Sequence, residues 1–122
     1  MEEAKRPNFS VVHMGINCGS EENARSAAQL FAGLFGFDYQ EGRSSIFAGN
    51  STMELMKSAG RGTHGHIAIG TDDVDAAEAY LREKGCDFVE DSRTTKDGHT
   101  LALYFRGEVA GFALHLVRKE LK

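Results

Sequence analysis

Three histidines and one glutamate, His13, His66, His115 and Glu54, sit in short runs that alternate as β-strands do. In "VVHMGINC", His13, Gly15 and Asn17 fall on one face, and Val12, Met14, Ile16 and Cys18 on the other. In "HIAIG", His66, Ala68 and Gly70 oppose Ile67 and Ile69. In "TMELMK", Glu54 and Met56 oppose Met53 and Leu55, and in "FALHLV", Ala113, His115 and Val117 oppose Phe112, Leu114 and Leu116. The larger apolar members are expected to form the core. The other face then gathers His13, Glu54, His66 and His115 among Gly15, Ala68, Gly70 and Ala113, whose small side chains leave a hollow.

A single strand histidine is more often solvated or hydrogen-bonded than a ligand, and a single glutamate more often a surface carboxylate. The four together read differently, because they occupy equivalent places in two similar halves of the chain. Imidazole and carboxylate donors suit a divalent transition metal, and a mixed His/Glu set fits Zn, Ni, Fe or Mn better than Ca or Mg. Glu54 buried among histidines without a cation costs desolvation with little return, and a bound ion removes that cost. His64 and His99 fall in turn regions and are expected at the surface.

The elements that must position these residues are written twice. Residues 21–35, "EENARSAAQLFAGLF", carry apolar side chains at 24, 27, 28, 31, 34 and 35, the spacing of an amphipathic helix, with Ser20 as its cap and Gly36 as its stop. Residues 73–84 repeat the pattern at 74, 77 and 81, with Asp72 as the expected cap and Gly85 as terminator. One strand precedes each helix. Three follow it: "FDYQE", "SSIFA" and "TMELMK", broken at Gly42 and Gly49-Asn50, then "CDFVED", "LALYFR" and "FALHLV", broken at Asp97-Gly98 and by a loop from Gly107 to Gly111. The order is β-α-β-β-β twice, an α+β fold with modules at about 9–58 and 63–119. Its opening histidines lie 66 − 13 = 53 positions apart.

The bulk numbers fit one domain over residues 1–122 and exclude several classes of function. The chain is 41% hydrophobic and 26% charged, with one proline and no tryptophan. A net charge of -4 argues against a nucleic-acid partner, which would call for an excess of lysine and arginine. Lys5, Arg6, Arg118, Lys119 and Lys122 are expected as solvated termini. Cys18 and Cys86 make no disulfide framework and no C-x-x-C pair, so free thiols in a reducing cytosol are expected. "MEEAKRPNF" has no apolar core of a leader, and no run approaches the length of a membrane span, which points to a cytoplasmic protein without a membrane partner.

With "VVHMGIN" opening one module and "GHIAIGT" the other, the chain resembles the vicinal oxygen chelate superfamily, also called the glyoxalase, bleomycin-resistance and dioxygenase family. The resemblance covers roughly Phe9 to Lys119. It implies a cupped mixed sheet around one metal, one helix per module on the outer face, and ligands at His13, Glu54, His66 and His115. It also implies Lewis-acid chemistry on vicinal oxygens and, together with the open sheet edges, a homodimer. The sequence departs from the family at the last strand, where glyoxalase-type members usually have glutamate at the place of His115 and use it as base. The usual "D-P-x-G" turn is replaced by "GEVAG". "HMGIN", "SSIFAG", "MELMKS", "GHIAIGT" and "AGFALHLVRK" are also similar to glyoxalase-like domains that some bacteria append to 2-keto-3-deoxyphosphogluconate aldolases.

The leading expectation is a metal-dependent lyase or isomerase acting on a small 2-oxo or 2-hydroxy acid, with Glu54 as the catalytic base. Two alternatives stay open: a binding or resistance module without turnover, and an Fe(II)-dependent dioxygenase. The donor set argues against both, because sequestering members of the family commonly lack a metal, and three histidines plus a glutamate leave fewer free positions for oxygen and substrate than a facial triad does. Arg43, Lys57, Arg61, Arg93 and Arg106 are candidate cations for an anionic substrate, though each is as readily read as a solvated surface residue. Tyr104 shares the parity of the hollow face and is a candidate hydrogen-bonding group.

Overall fold

A computed structural model describes residues 8–119, so the expectations for Lys5, Arg6 and Lys122 lie outside the described residues. Eight strands and two helices follow in the order β1(Ser10–Asn17), α1(Glu21–Phe35), β2(Tyr39–Glu41), β3(Ser45–Ala48), β4(Met53–Met56), β5(Gly65–Thr71), α2(Val74–Glu83), β6(Phe88–Lys96), β7(His99–Val109) and β8(Phe112–Arg118). This is the expected β-α-β-β-β order, twice. The strands form one mixed sheet in the order β2-β3-β4-β1-β5-β8-β7-β6. Within each module the first and last strands pair in parallel, β1 with β4 and β5 with β8, and β1 and β5 join the modules antiparallel.

Each helix covers its own half of the sheet with its own core. Ala24 and Ala28 of α1 pack on Ile46, Ala48 and Leu55, with Ile16, Cys18 and Phe31 around them. Val74 and Ala77 of α2 pack on Phe88, Leu103 and Leu116. The small alanines let the helices lie close to the sheet, so the large strand residues supply most of the buried volume. Ala27 also packs against this core, but the C-terminal end of the predicted α1 stripe is not covered: Leu34 is 66% and Phe35 61% exposed. Cys18 and Cys86 are free thiols, one beside each core.

Several boundaries differ from the sequence reading. The cap of α2 is Asp73 rather than Asp72: Asp73 has the extended backbone of a cap and its carboxylate accepts from Ala76 N–H at 3.1 Å. Asp72 instead accepts from the Asn8 side-chain amide. The expected loop from Gly107 to Gly111 shrinks to a turn at Ala110 and Gly111, because β7 continues to Val109 and Glu108 still pairs with Ala113. Strand β6 likewise runs beyond "CDFVED" to Lys96, and the Asp97-Gly98 turn, both residues at positive φ, closes the hairpin as predicted. Lys119 is no free tail, since its ammonium donates to the Asn8 carbonyl at 2.7 Å.

A bulge in β1 corrects the strand parity. Between Val11↔Ile69 and His13↔Ala68 the register slips, leaving Val12 as the extra residue. A Cβ built on Gly70 would meet Val12 Cγ2 at 2.4 Å, so Val12 lies over Gly70 on the face it was expected to oppose.

Candidate metal centre

Two rows of paired residues cross the sheet and carry the site. The first runs Phe47, Glu54, Gly15, His66, Ala113 over β3, β4, β1, β5 and β8. The second runs His13, Ala68, His115, Tyr104 over β1, β5, β8 and β7. Each functional side chain therefore stands next to a glycine or an alanine in its own row, which gives the long side chains room to lean together. Gly15 is the tightest case, because a Cβ there would sit 2.0 Å from His66 Cε1.

The lean is large. His13 and His115 are two strand spacings apart, about 10 Å in a flat sheet, yet their ring centroids lie 5.8 Å apart over Ala68. His66 stands 5.4 Å from His13 and 5.2 Å from His115, each pair edge to face. One ring nitrogen from each histidine falls within 4.8 Å of the others, so the three could hold one metal ion. Glu54 is not one of that group of three but lies beside it on the β4 side, with Oε1 3.0 Å from His66 Nε2 and 3.6 Å from His13 Nε2.

The electrostatics agree with a cation's surroundings. Burial, with His66 and His13 nearby, pushes His115 down to about 4, so its imidazole is neutral and its lone pair is available at neutral pH. Burial also lowers His13. Glu54 is held below the usual carboxylate range, chiefly by its hydrogen bond from His66 and also by one from Ser45, against the opposing effect of burial. His115 Nε2 is buried with no hydrogen-bond partner. A buried, unpartnered imidazole nitrogen on a ring packed against two more imidazoles, with a carboxylate on one of these, fits a divalent ion, because such an ion satisfies a free nitrogen and compensates the carboxylate.

Strand parity thus brings all four expected residues together, while His64 and His99 are exposed as expected. Of the candidate cations, Lys57 is bonded to Glu41 and the Gly42 carbonyl, Arg93 to Glu78 and Glu90, and Arg106 to Asp87, each away from the histidines. Tyr104 reaches the site through its ring rather than its hydroxyl: it stacks on His115 at 4.5 Å and 17°. Two residues were missed. Ser45, 5% exposed, donates to Glu54 Oε2 at 2.8 Å. Asn17 holds the β4–β5 loop, accepting from Gly60 N–H and donating to the Gly62 carbonyl. Both share the parity of the hollow face, and that parity is the signal that could have found them.

An eight-stranded mixed sheet of paired β-α-β-β-β modules, with three histidines gathered on one face that could hold a metal ion, defines a two-module class of fold. Residues 10–116 match the family model of the Glyoxalase/Bleomycin resistance protein/Dioxygenase superfamily, and the chain belongs to that superfamily. Among solved structures, a hypothetical protein from Bacillus halodurans is similar at 16% identity and a TM-score of 0.67, over 94% of this chain and 97% of that one. A Streptomyces coelicolor methylmalonyl-CoA epimerase variant in complex with 2-nitronate-propionyl-CoA is 19% identical at a TM-score of 0.60, over 91% and 97%. The methylmalonyl-CoA epimerase from Mycobacterium tuberculosis is 17% identical at 0.61, over 92% and 89%. At these identities the likeness is one of fold. No curated protein sequence matches the chain. Among the described residues no helix is long and apolar enough to cross a membrane.

Proposed function

We propose that this chain is a metal-dependent lyase or isomerase acting on a small substrate with vicinal oxygens, such as a 2-oxo or 2-hydroxy acid. His13, Glu54, His66 and His115 hold one divalent ion, Zn, Ni, Fe or Mn. The observation that carries the reading is the buried, unpartnered His115 Nε2 among two further imidazoles and Glu54. The same reading keeps the modules at about 9–58 and 63–119 as halves of one domain, and the working unit as a cytoplasmic homodimer. Epimerases are isomerases, and the similar solved structures include several of them.

A divalent ion held there supplies Lewis-acid polarisation of the substrate oxygens. The chain supplies the proton chemistry. A coordinated imidazole uses its lone pair and is a poor base, which leaves the Glu54 carboxylate to take a proton from the carbon beside the polarised oxygens. Ser45 binds Oε2 and leaves Oε1 turned toward His66 and His13, so Oε1 would be both the oxygen that holds the ion and, once Glu54 swings off it, the atom that receives the proton. Phe47, next to Glu54 in its row and 6.2 Å from the His13 ring, walls that side.

Elemental analysis after loading and chelation, with alanine variants at the four positions, tests the site. Metal content and melting temperature should fall together in each variant, since an ion that binds only the folded chain stabilises it. Glu54→Gln should slow deuterium exchange into methylglyoxal–thiol adducts or small 2-oxo acids by on the order of 10²-fold or more at equal metal loading. Iron with oxygen consumption would move the assignment to a dioxygenase. Failure to take up any ion would move it to a binding module.

A further inference from the structure

Arg61 stands apart from the other cations. Its Cζ lies 4.7 Å over the Tyr104 ring, Tyr104 lies 4.5 Å from His115, and no carboxylate among the described residues pairs with it. Arginine, tyrosine and histidine form a three-layer stack that ends in the metal centre. A guanidinium engaged by its face on an aromatic ring keeps its N–H donors for a ligand.

The loop that carries Arg61 is pinned on both sides. Gly60 N–H donates to Asn17 Oδ1 at 3.2 Å, and Asn17 Nδ2 donates to the Gly62 carbonyl at 3.0 Å, so one side-chain amide brackets Arg61. Beyond it, His64 N–H donates to the Gly111 carbonyl at 2.8 Å, and its own carbonyl accepts from Asn17 N–H at 2.9 Å. Gly62 has φ +89, and a Cβ there would meet the Gly65 carbonyl oxygen at 1.8 Å, so the loop lies directly on the sheet. An open groove of about 360 Å³ lies alongside, lined by Arg61, Tyr104, Val89 and Phe105 among others. Glu108 lines it too, but accepts from the Thr63 hydroxyl and is not paired with Arg61.

We propose that Arg61 receives a second anionic group of the substrate, a carboxylate placed beyond the vicinal oxygens, and so selects dicarboxylic 2-oxo or 2-hydroxy acids. The proposal rests on the metal-site reading above. The Tyr104 ring separates the guanidinium from His115 by two stacking distances, 4.7 and 4.5 Å, too far for one group to chelate at the histidines and also touch Arg61. A carboxylate about three or four bonds further along the substrate, at about 1.5 Å per bond, spans that gap together with about 2 Å of metal–oxygen bond at one end and about 2.9 Å of hydrogen bond at the other. The planar guanidinium fork matches a carboxylate in both shape and charge, as an ammonium does not. Asn17 is a positioning residue, acting through the loop.

Calorimetric titration of the whole chain, with and without zinc, tests the proposal. The probes are 2-oxoglutarate and 2-oxopentanoate, which share a carbon count and differ in the far carboxylate. Wild type should bind 2-oxoglutarate more tightly. Arg61→Gln, at an exposed position, should weaken 2-oxoglutarate by about 10- to 100-fold and 2-oxopentanoate by less than about twofold. Arg61→Lys should fall between. Equal affinity of wild type for the two acids, binding of neither, or indifference of 2-oxoglutarate to Arg61→Gln overturns the proposal. Zinc-dependent binding that ignores Arg61 overturns it and leaves the metal reading standing. Binding that discriminates through Arg61 but ignores zinc, nickel, iron and manganese alike keeps Arg61 as the carboxylate receiver, and overturns the metal reading and with it the placement beyond metal-held oxygens.

Discussion

At the scale of single residues, the placement of the histidines depends on what stands beside them. Gly15 pairs with His66 across β1 and β5 and with Glu54 across β1 and β4. Its missing side chain is the space the His66 ring fills. Gly15→Ala should therefore push His66 out of line while leaving the strand paired, since alanine suits an extended backbone. We expect divalent-ion affinity to fall by on the order of tenfold or more, as it does when the residues around a metal ligand are disturbed, with unchanged far-UV circular dichroism. Competition titration against a chelating dye reads the affinity, and wild-type affinity in the variant would show that the cradle does not matter. The small neighbours were legible in the sequence, because strand parity puts Gly15, Ala68 and Ala113 on the face of the histidines. Val12 was not. A bulge has no reliable signature in one strand read alone, and only the pairing with β5 shows that Val12 is the extra residue. Ser45 was legible only as a residue of that face, by its parity; its contact with Glu54 depends on the β3–β4 register, which one strand read alone does not show.

At the scale of elements, α2 is fastened to the sheet by charge as well as by its apolar side. Asp75 accepts from the Thr100 hydroxyl and N–H, and Glu78 accepts from Arg93, which also holds Glu90. The Thr100 hydrogen bonds hold Asp75 below the usual carboxylate range, and the Arg93 hydrogen bonds do the same for Glu78. Acids whose folded values are depressed contribute stability that is fully present above their unfolded values, about 3.9 and 4.3, and is lost as pH falls through the lower folded values. Urea unfolding should thus show wild type more stable than Glu78→Gln at pH 7, with the gap closing toward pH 3. A gap of constant size across that range would mean that ionisation of Glu78 contributes nothing. The helices themselves were readable from their periodicity, and Ser20 caps α1 as expected, accepting from Asn23 N–H at 3.0 Å. The choice between Asp72 and Asp73 was not readable, since adjacent aspartates have the same chemistry and differ only in which one has the extended backbone next to the first turn. The lengths of β6 and β7 escaped for a related reason. Their polar ends, "SRTTK" and "GEV", lack alternation and are held by pairing with each other or with β8.

At the scale of the molecule, the site is the meeting of two near-copies. In one module Gly15 lies opposite Glu54, and in the other Ala68 lies opposite His115; His66 and Ala68 follow His13 and Gly15 at the same interval, since 66 − 13 and 68 − 15 both equal 53. Each module supplies two of the four proposed donors, so on that proposal neither half alone builds the centre. The same duplication leaves apolar surface without a partner. Leu30, Leu34 and Phe35 on α1 are 58%, 66% and 61% exposed, and Val11 on the first strand is 66% exposed. Exposed apolar side chains on α1 and on β1 offer two separate surfaces for a second chain, and a stable pairing of two chains buries about 1,200–2,000 Å² in total. Sedimentation at micromolar concentration is expected to return a dimer of the 13.3 kDa chain. Charges placed in the patch locate the contact: Leu34→Glu with Phe35→Glu should separate the chains if α1 forms it, and Val11→Glu if the β1 strip does. Since the donors face the opposite side of the sheet from α1, separation through α1 should leave ion binding intact. A wild-type monomer at these concentrations would rule out the dimer, and the exposed side chains of α1 would then need another partner.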